Sequence, residues 1–296
     1  MPLKNITHVT VVGAGIMGRQ IALNAAQHEF SVALTDTMPE ALAQAQSWVA
    51  DYLHKAVEKG KMSAEDAQAA QARMRYTAEL AQAMENCDLV IEAIVEKEDI
   101  KRKLFMEIDK LVSKDTIIAT NSSYIPSSAY RNDISNPERL INLHYFNPAV
   151  KMELVEIVAG EHTAPQVVQS IQDFAKKIGK QSILVHKEVE GFVVNRLLKA
   201  LQNEAYYLLE NGVASFEDID IGAEKGLRHP MGPFRLMDMT GLDLNYYNRQ
   251  RVYEATGRAE DMPPKSLTER FLAGNYGRKT GKGWYDYQSE KKVEAK

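Results

Sequence analysis

Residues 9–36 read VTVVGAGIMGRQIALNAAQHEFSVALTD, and they give the clearest indication of the fold. A short β-branched run stops at Gly13, an apolar helical pattern follows at once, and a second β-rich run ends on Asp36. Gly13, Gly15 and Gly18 form G-x-G-x-x-G: the first glycine permits a tight turn, the second lets a pyrophosphate approach the backbone, and the third lets helix pack on strand. The stretch predicts a strand–helix–strand unit of a parallel sheet, with a phosphate site where the helix begins.

Asp36 indicates which dinucleotide to expect. It ends the second strand at about the distance beyond Gly15 where an acid binds the adenosine ribose. Its carboxylate would repel a 2′-phosphate, and the next residues, Thr37, Met38 and Pro39, supply no cation to bind one. We therefore expect NAD rather than NADP. A glycine-rich turn that serves packing alone is the alternative.

The composition is that of a globular protein of about two domains. The chain has 296 residues, of which 45% are hydrophobic, and its net charge is 36 − 40 = −4. With no basic excess, no nucleic-acid partner is expected. No apolar run reaches the roughly 18 residues of a membrane helix, no signal peptide is evident, and no metal site is expected. The single cysteine, Cys87, favours a reducing compartment, so the expected location is the cytoplasm.

Strand-like runs alternate with helical patterns through the first two thirds of the chain. The helical patterns lie at residues 101–111 and 166–178. The strand-like runs are 88–93, 116–120, 140–146, 153–158 and 182–185. This alternation predicts an α/β domain, a Rossmann-like doubly wound sheet.

Two helical regions complete the predicted architecture. Residues 39–75 are rich in Ala and Gln, break at Gly60 and restart at a capping box that begins at Ser63, which predicts an inserted helical hairpin. Helical periodicity also dominates residues 192–271. We expect an NAD-binding domain at 1–187 and an all-helical C-terminal domain at 188–296.

His144 is the leading candidate for a catalytic base. It lies near the end of a strand, at the sheet edge where ligands bind in such folds. The segment NPAVKM that follows predicts a hairpin centred near Val150, which would place Glu156 opposite His144. A carboxylate beside an imidazole fixes its tautomer and stabilises the imidazolium, as a base that deprotonates an alcohol requires. A hydrogen-bonded structural histidine is the alternative.

Two further groups of polar residues follow strands. Asn121 to Ser123 come directly after the run TIIAT, where they would bind a nicotinamide or a substrate oxygen, or else cap a helix. Glu92 lies near the end of the run 88–93 and Glu96 just beyond it, and these two acids could likewise belong to a solvated face.

Ten sequence features, taken in their order along the chain, resemble those of a known protein family. They are GAGIMG (13–18), Asp36, EAIVE (92–96), TNSS (120–123), HYFNP (144–148), ELVEIV (153–158), GFVVNR (191–196), HPMGPF (229–234), GLD (241–243) and GRKTGKGWYDY (277–287). Together they closely resemble the L-3-hydroxyacyl-CoA dehydrogenases, which include bacterial 3-hydroxybutyryl-CoA dehydrogenases. The resemblance spans nearly the whole chain.

The resemblance implies NAD-dependent, reversible oxidation of a (3S)-3-hydroxyacyl-CoA to the 3-oxoacyl-CoA. It makes His144 the general acid/base, Glu156 its orienting partner, and Ser123 and Asn195 the ligands of the substrate's 3-oxygen. The implied cofactor-binding residues are Gly13, Gly15, Ile16, Met17, Gly18, Asp36, Glu96, Lys101, Ser123 and Asn147.

The resemblance also implies partners. The helical hairpin would meet the CoA moiety, with Lys59 as a substrate-binding residue, although solvated lysines are an equal alternative there. The C-terminal domain would form a homodimer. Tyr124 departs from the family pattern and adds bulk near the reacting centre, which favours short acyl chains, in β-oxidation or butyrate metabolism.

Two other functions remain open from the sequence. An NAD-dependent dehydrogenase of a free 3-hydroxy acid, of the carnitine or gulonate type, would use the same scaffold with an Arg near the carboxylate. An NAD-binding structural protein of the crystallin kind would need none of His144, Glu156, Ser123 and Asn195.

Overall fold

The N-terminal part of the protein is built around one mixed sheet. The computed structural model describes residues 5–288, and the chain divides into two compact units after Val193. Within the described residues, the sheet of the first unit has eight strands in the order β3-β2-β1-β4-β5-β6-β7-β8. The strands are β1 (His8–Val12), β2 (Ser31–Thr35), β3 (Met74–Thr77), β4 (Leu89–Glu92), β5 (Ile117–Thr120), β6 (Leu140–Tyr145), β7 (Leu154–Val158) and β8 (Gln181–Val185).

Helices surround this sheet and make up the second unit. Those of the first unit are α1 (Ile16–Gln27), α2 (Pro39–Glu58), α3 (Ala64–Ala72), α4 (Leu80–Ala83), α5 (Glu98–Leu111) and α6 (Pro165–Lys177). Those of the second are α7 (Val194–Glu210), α8 (Phe216–Ile221), α9 (Pro233–Thr240), α10 (Leu242–Thr256) and α11 (Lys265–Leu272). None of the described helices combines the length and the apolar character needed to cross a membrane.

Both faces of the sheet are buried, which is why its central strands are continuous apolar runs. Val11 belongs to a core cluster that includes residues of α1, α2 and α6, whereas Val12 belongs to a second cluster that includes residues of α5. Successive side chains of a strand point to opposite faces, so the two clusters cover the two sides. The predicted Rossmann-like α/β fold with a helical C-terminal part is confirmed.

The inserted hairpin is present, but the prediction for residues 39–75 was wrong at its end. Helix α3 begins at the expected cap, where the Ser63 hydroxyl accepts a hydrogen bond from the Asp66 N–H at 3.0 Å. The helix ends at Ala72, and residues 74–77 form β3, which pairs in parallel with β2. This strand has only four residues and contains no β-branched run, so local pattern gave no sign of it; pairing with the exposed edge of β2 makes it a strand.

The helical unit is organised around buried acids. Asp238 on α9 accepts hydrogen bonds from the N–H groups of Trp284 and Tyr285, both at 2.9 Å, and from the Tyr287 hydroxyl at 3.0 Å. Burial raises the pKa of Asp238. These contacts fix the aromatic end of the described chain against the helices, where Trp284 packs on Phe234.

Candidate active site

Three glycines shape the turn between β1 and α1, and each meets different surroundings. A Cβ on Gly13, which has φ +106°, would lie 2.7 Å from the Ala93 carbonyl oxygen. A Cβ on Gly18 would lie 1.7 Å from the Gly13 carbonyl oxygen. A Cβ on Gly15 would meet nothing within 4 Å. Packing therefore requires Gly13 and Gly18, whereas Gly15 leaves open space beside the backbone.

That open space lies at the N-terminus of α1. Gly15 is the N-cap and has no side chain to satisfy the first N–H groups of the helix, among them those of the predicted cofactor residues Ile16 and Met17. Free N–H groups and the positive end of the helix dipole bind phosphate oxygens. The turn fits the pyrophosphate of a dinucleotide.

Asp36 lies beside this turn, at the carboxyl end of β2. Its carboxylate accepts hydrogen bonds from the Ala14 N–H at 2.8 Å and the Met38 N–H at 2.9 Å. Each carboxylate oxygen can accept a further bond, so ribose hydroxyls fit there.

We expect kcat/KM with NAD to exceed that with NADP by at least about tenfold, or about 1.4 kcal/mol. The reason is the Asp36 carboxylate, which repels a 2′-phosphate. Asp36→Asn keeps one acceptor oxygen but removes the charge, so it should narrow the preference, and Asp36→Ala should weaken NAD binding with the fold intact. Steady-state kinetics with both cofactors measure this, and equal kcat/KM values for the wild type would contradict it.

The predicted pair His144 and Glu156 comes together on neighbouring strands. Within the described sheet, β6 and β7 are the neighbours that run antiparallel, and their register places His144 directly opposite Glu156, as the turn predicted. His144 Nδ1 lies 2.8 Å from Glu156 Oε2, and His144 Nε2 lies 3.0 Å from Ser123 Oγ. His144 is 3% exposed and Glu156 is fully buried.

The hydrogen bonds determine which nitrogen of His144 is able to accept a proton. An ionised carboxylate only accepts, so Nδ1 must carry the proton in the bond to Glu156. In the neutral imidazole, Nε2 is then the acceptor, and it faces Ser123. This arrangement can take a proton from a hydroxyl at Nε2 while Glu156 stabilises the imidazolium.

The turn between β6 and β7 is held by a residue that the sequence analysis missed. Lys180, which is 8% exposed, donates from Nζ to the carbonyl oxygens of Ala149 at 2.7 Å and Met152 at 2.6 Å. Burial lowers the pKa of Lys180. Its contacts brace the turn beside Asn147, whose side-chain oxygen lies 3.4 Å from Gln20 Nε2 on α1. A lysine just before a strand gives no local sign of such a role.

Asn121 and Ser123 have different parts in this site. The Asn121 side-chain oxygen accepts a hydrogen bond from the Tyr145 N–H at 2.9 Å, which fastens the end of β5 to the end of β6. Ser123, two residues further on, thereby reaches His144. Neither residue caps a helix.

Lys101 pairs with both Glu92 and Glu96; Glu92 is fully buried, so a solvated face was the wrong interpretation of it, whereas the Glu96 side chain is 30% exposed. Lys101 is 1% exposed, and its Nζ lies 3.0 Å from Glu92 Oε2 and 2.7 Å from Glu96 Oε2. Burial raises the pKa of Glu92 despite the ammonium beside it. Burial also acts on Glu96, but Lys101 and the Ser122 hydroxyl outweigh it, and the pKa of Glu96 is lowered. Glu96 is thus held ionised at the carboxyl edge of the sheet.

The remaining predicted substrate residues lie on two helices. Lys59 is the exposed C-cap of α2, while Lys55, one turn earlier, is paired with Asp51 at 2.6 Å. Asn195 lies in the first turn of α7, in the helical unit. Their contacts with substrate stay predictions.

The chain matches known proteins along almost its entire length. Residues 8–189 match the NAD-binding domain of 3-hydroxyacyl-CoA dehydrogenases, and residues 191–287 match the C-terminal domain of the same enzymes. The chain is 37% identical to the 3-hydroxybutyryl-CoA dehydrogenase of Bradyrhizobium diazoefficiens, over 97% of this chain and 98% of that protein. It is 36% identical to the 3-hydroxyadipyl-CoA dehydrogenase of Escherichia coli, over 98% of this chain and 61% of that protein.

A solved structure gives the same result. The (S)-3-hydroxybutyryl-CoA dehydrogenase of Ralstonia eutropha superposes with a TM-score of 0.86 at 36% identity, covering 96% of this chain and 99% of that one. The glycine turn, the acid at the end of β2 and the histidine–glutamate pair all lie in the matched region. The chain therefore belongs to the 3-hydroxyacyl-CoA dehydrogenase family.

Proposed function

We propose that His144 and Glu156 are the acid–base centre of an NAD-dependent dehydrogenase that oxidises short-chain (3S)-3-hydroxyacyl-CoA to 3-oxoacyl-CoA, reversibly. The observation that carries this proposal is the chain of contacts from Glu156 Oε2 through His144 to Ser123 Oγ, with bond lengths of 2.8 and 3.0 Å. NAD, when bound, accepts the hydride, so the protein has to position the substrate and handle the proton.

His144 Nε2 takes the proton from the 3-hydroxyl of the substrate. The imidazolium that forms is buried beside the Glu156 carboxylate, where low dielectric strengthens the attraction between the two charges. Ser123 turns its hydroxyl from His144 toward the substrate's 3-oxygen, and Asn195 is the second ligand of that oxygen. In the reverse direction His144 returns the proton to the 3-oxo group.

The proposed cofactor contacts follow the carboxyl edge of the sheet. Glycines of the β1–α1 turn and the N–H groups of Ile16 and Met17 bind the pyrophosphate, and Asp36 binds the ribose. Glu96 follows β4 and Asn147 follows β6, at the same edge of the sheet. They are the proposed contacts on the nicotinamide side. Lys101 contributes by holding Glu96 in place. Its buried ammonium is paired with the carboxylates of Glu92 and Glu96.

The CoA thioester is the proposed handle on the substrate. Similar proteins are named for 3-hydroxybutyryl-CoA, which supports a short acyl chain. On this chain the exposed Lys59 at the end of α2 is the proposed phosphate contact, because its neighbour Lys55 is already paired with Asp51.

Acetoacetyl-CoA should be reduced by NADH far more efficiently than free acetoacetate. Binding energy from the remote nucleotide can position the 3-oxo group, and the truncated substrate lacks it. Lys59→Ala should raise KM for acetoacetyl-CoA at low salt, and the effect should shrink as salt screens the phosphate. NADH oxidation followed at 340 nm measures both.

A charge-matched control is Lys114→Ala. Lys114 is exposed and precedes β5, at the amino ends of the parallel strands, whereas the proposed site lies at their carboxyl ends. Its removal should leave the KM for acetoacetyl-CoA unchanged. Free acetoacetate working as well as its thioester would favour a dehydrogenase of free 3-hydroxy acids instead. A kcat/KM that rises steadily from four to ten carbons would contradict the crowding attributed to Tyr124.

The helical unit is the proposed homodimer surface. Large apolar side chains are exposed on α7, α9 and α10, and these helices therefore present apolar area that a second copy would cover. They are Leu197, Tyr207, Met239, Leu244 and Tyr247. A solution mass near that of one 33.2 kDa chain would contradict this proposal.

We further place this activity in the cytoplasm, in β-oxidation or butyrate metabolism. The buried thiol of Cys87 supports a reducing compartment. Burial raises the pKa of Cys87 to about 11, so the thiol is not a reactive one.

A further inference from the structure

The turn formed by Gly191, Phe192 and Val193 has an unusual backbone. Phe192 has φ +46° and Gly191 before it has φ +75°. A side chain with a Cβ rarely adopts this conformation, because the Cβ crowds the neighbouring carbonyl oxygen, and it persists only where the surroundings hold it.

Phe192 also differs from other residues with this conformation. The other non-glycine residues with positive φ between residues 5 and 288 are polar and exposed: they are Glu29, Asn86 and Arg228. Phe192 is an aromatic residue and is only 1% exposed. The strained backbone conformation of Phe192 therefore coincides with a fully buried aromatic ring.

The packing partners of the ring include His144. The Phe192 and His144 ring centroids lie 5.7 Å apart at an interplanar angle of 59°, and Phe146 contacts the same imidazole with centroids 4.6 Å apart. Val158 and Val185 form a small buried cluster with Phe192. The two aromatic rings restrict rotation of the imidazole and keep water from the buried pair.

The backbone that follows contacts the other member of the pair. The Val193 N–H donates to Glu156 Oε1 at 3.0 Å, while Glu156 Oε2 bonds His144 Nδ1 at 2.8 Å. One turn thus holds both residues: its ring packs on the imidazole and its N–H fixes the second oxygen of the carboxylate. An extended conformation at Phe192 would redirect the ring and the N–H together.

We propose that Phe192 is a positioning residue for the proton relay, whose left-handed backbone conformation orients His144 with its ring and Glu156 through the Val193 N–H. This inference rests on the proposed role of His144 as the base. With the turn in place, the Nδ1 proton stays on the Glu156 side, and the unprotonated Nε2 can accept the substrate's proton once the Ser123 hydroxyl turns toward the substrate. Phe192 acts on the reaction only through His144 and Glu156.

The test compares Phe192→Ala with Val185→Ala. Both remove apolar atoms from the same buried cluster, and it is the Phe192 ring that packs on the His144 imidazole. In the free enzyme, the His144 Nδ1–H should give a far-downfield proton NMR signal, identified by its loss in His144→Gln. We expect Phe192→Ala to lose this signal and to lower kcat by about 10–100-fold, as a misplaced catalytic group does, with the Kd for NADH unchanged.

Val185→Ala should keep the signal and the wild-type kcat although its melting temperature falls. Phe192→Leu keeps apolar volume without the flat ring, and it replaces Phe192→Ala as the test if that variant does not fold. We expect Phe192→Leu to weaken the NMR signal and to lower kcat, while Val185→Ala again keeps both. The proposal is overturned if the Phe192 variants keep the signal and match Val185→Ala in kcat. Normal kcat in His144→Gln would instead refute the base assignment, and the NMR comparison would still test the positioning role.

Discussion

Replacing His144 by glutamine is expected to lower kcat by about 10²–10⁴, the usual range for loss of a general acid/base. Glutamine can donate and accept hydrogen bonds but cannot take up the proton, so the fold and the polar contact with Ser123 survive while the chemistry fails. The Kd for NADH should change little, because His144 is not among the proposed cofactor ligands. Steady-state oxidation of NADH by acetoacetyl-CoA, with a separate NADH titration, measures the two quantities.

Glu156→Gln is the companion variant, and its loss of kcat should be smaller. The base remains, but the amide cannot accept from both His144 and the Val193 N–H with an oxygen, so orientation and imidazolium stabilisation suffer. Near-normal kcat in His144→Gln would show that His144 is a structural histidine.

Gly18→Ala is expected to destabilise the protein by about 3 kcal/mol or more, the upper end for overpacking. Its Cβ would lie 1.7 Å from the carbonyl oxygen of Gly13, a backbone atom that moves only if α1 and β1 separate. Thermal or urea unfolding measures the loss, and an unfolded product is the extreme form of the same result.

Gly15→Ala is the matched control, because it adds the same methyl group in the same turn. Gly15 has φ −65° and a Cβ there would meet nothing within 4 Å, so the free energy of unfolding should stay near the wild-type value. The methyl group would instead occupy the space proposed for the pyrophosphate, and NADH binding should weaken. Equal stability of the two variants, or unchanged NADH affinity in Gly15→Ala, would contradict the division of roles among the glycines.

The dinucleotide-binding unit and the hairpin of β6 and β7 could both be predicted from the sequence alone. The glycine motif, Asp36 and the flanking strands lie within one short stretch, and each has a local physical requirement that only a few residue types satisfy. His144 and Glu156 were paired from the sequence because a hairpin centred near Val150 fixes the register of its two strands, and the structure confirms that register. The strand β3 has no β-branched run, and the sequence therefore did not predict it.

The surroundings of that pair follow from long-range packing. Ser123 reaches His144 because β5 and β6 are neighbours in the sheet, Lys180 braces the turn from the start of β8, and Phe192 arrives from the end of the first unit. The sequence indicated Ser123 by its place after a strand, but a lysine or a phenylalanine at these positions has no distinctive local pattern, and the contacts join segments far apart in the chain. Strand order and close packing, which no short stretch of sequence encodes, bring them to the histidine.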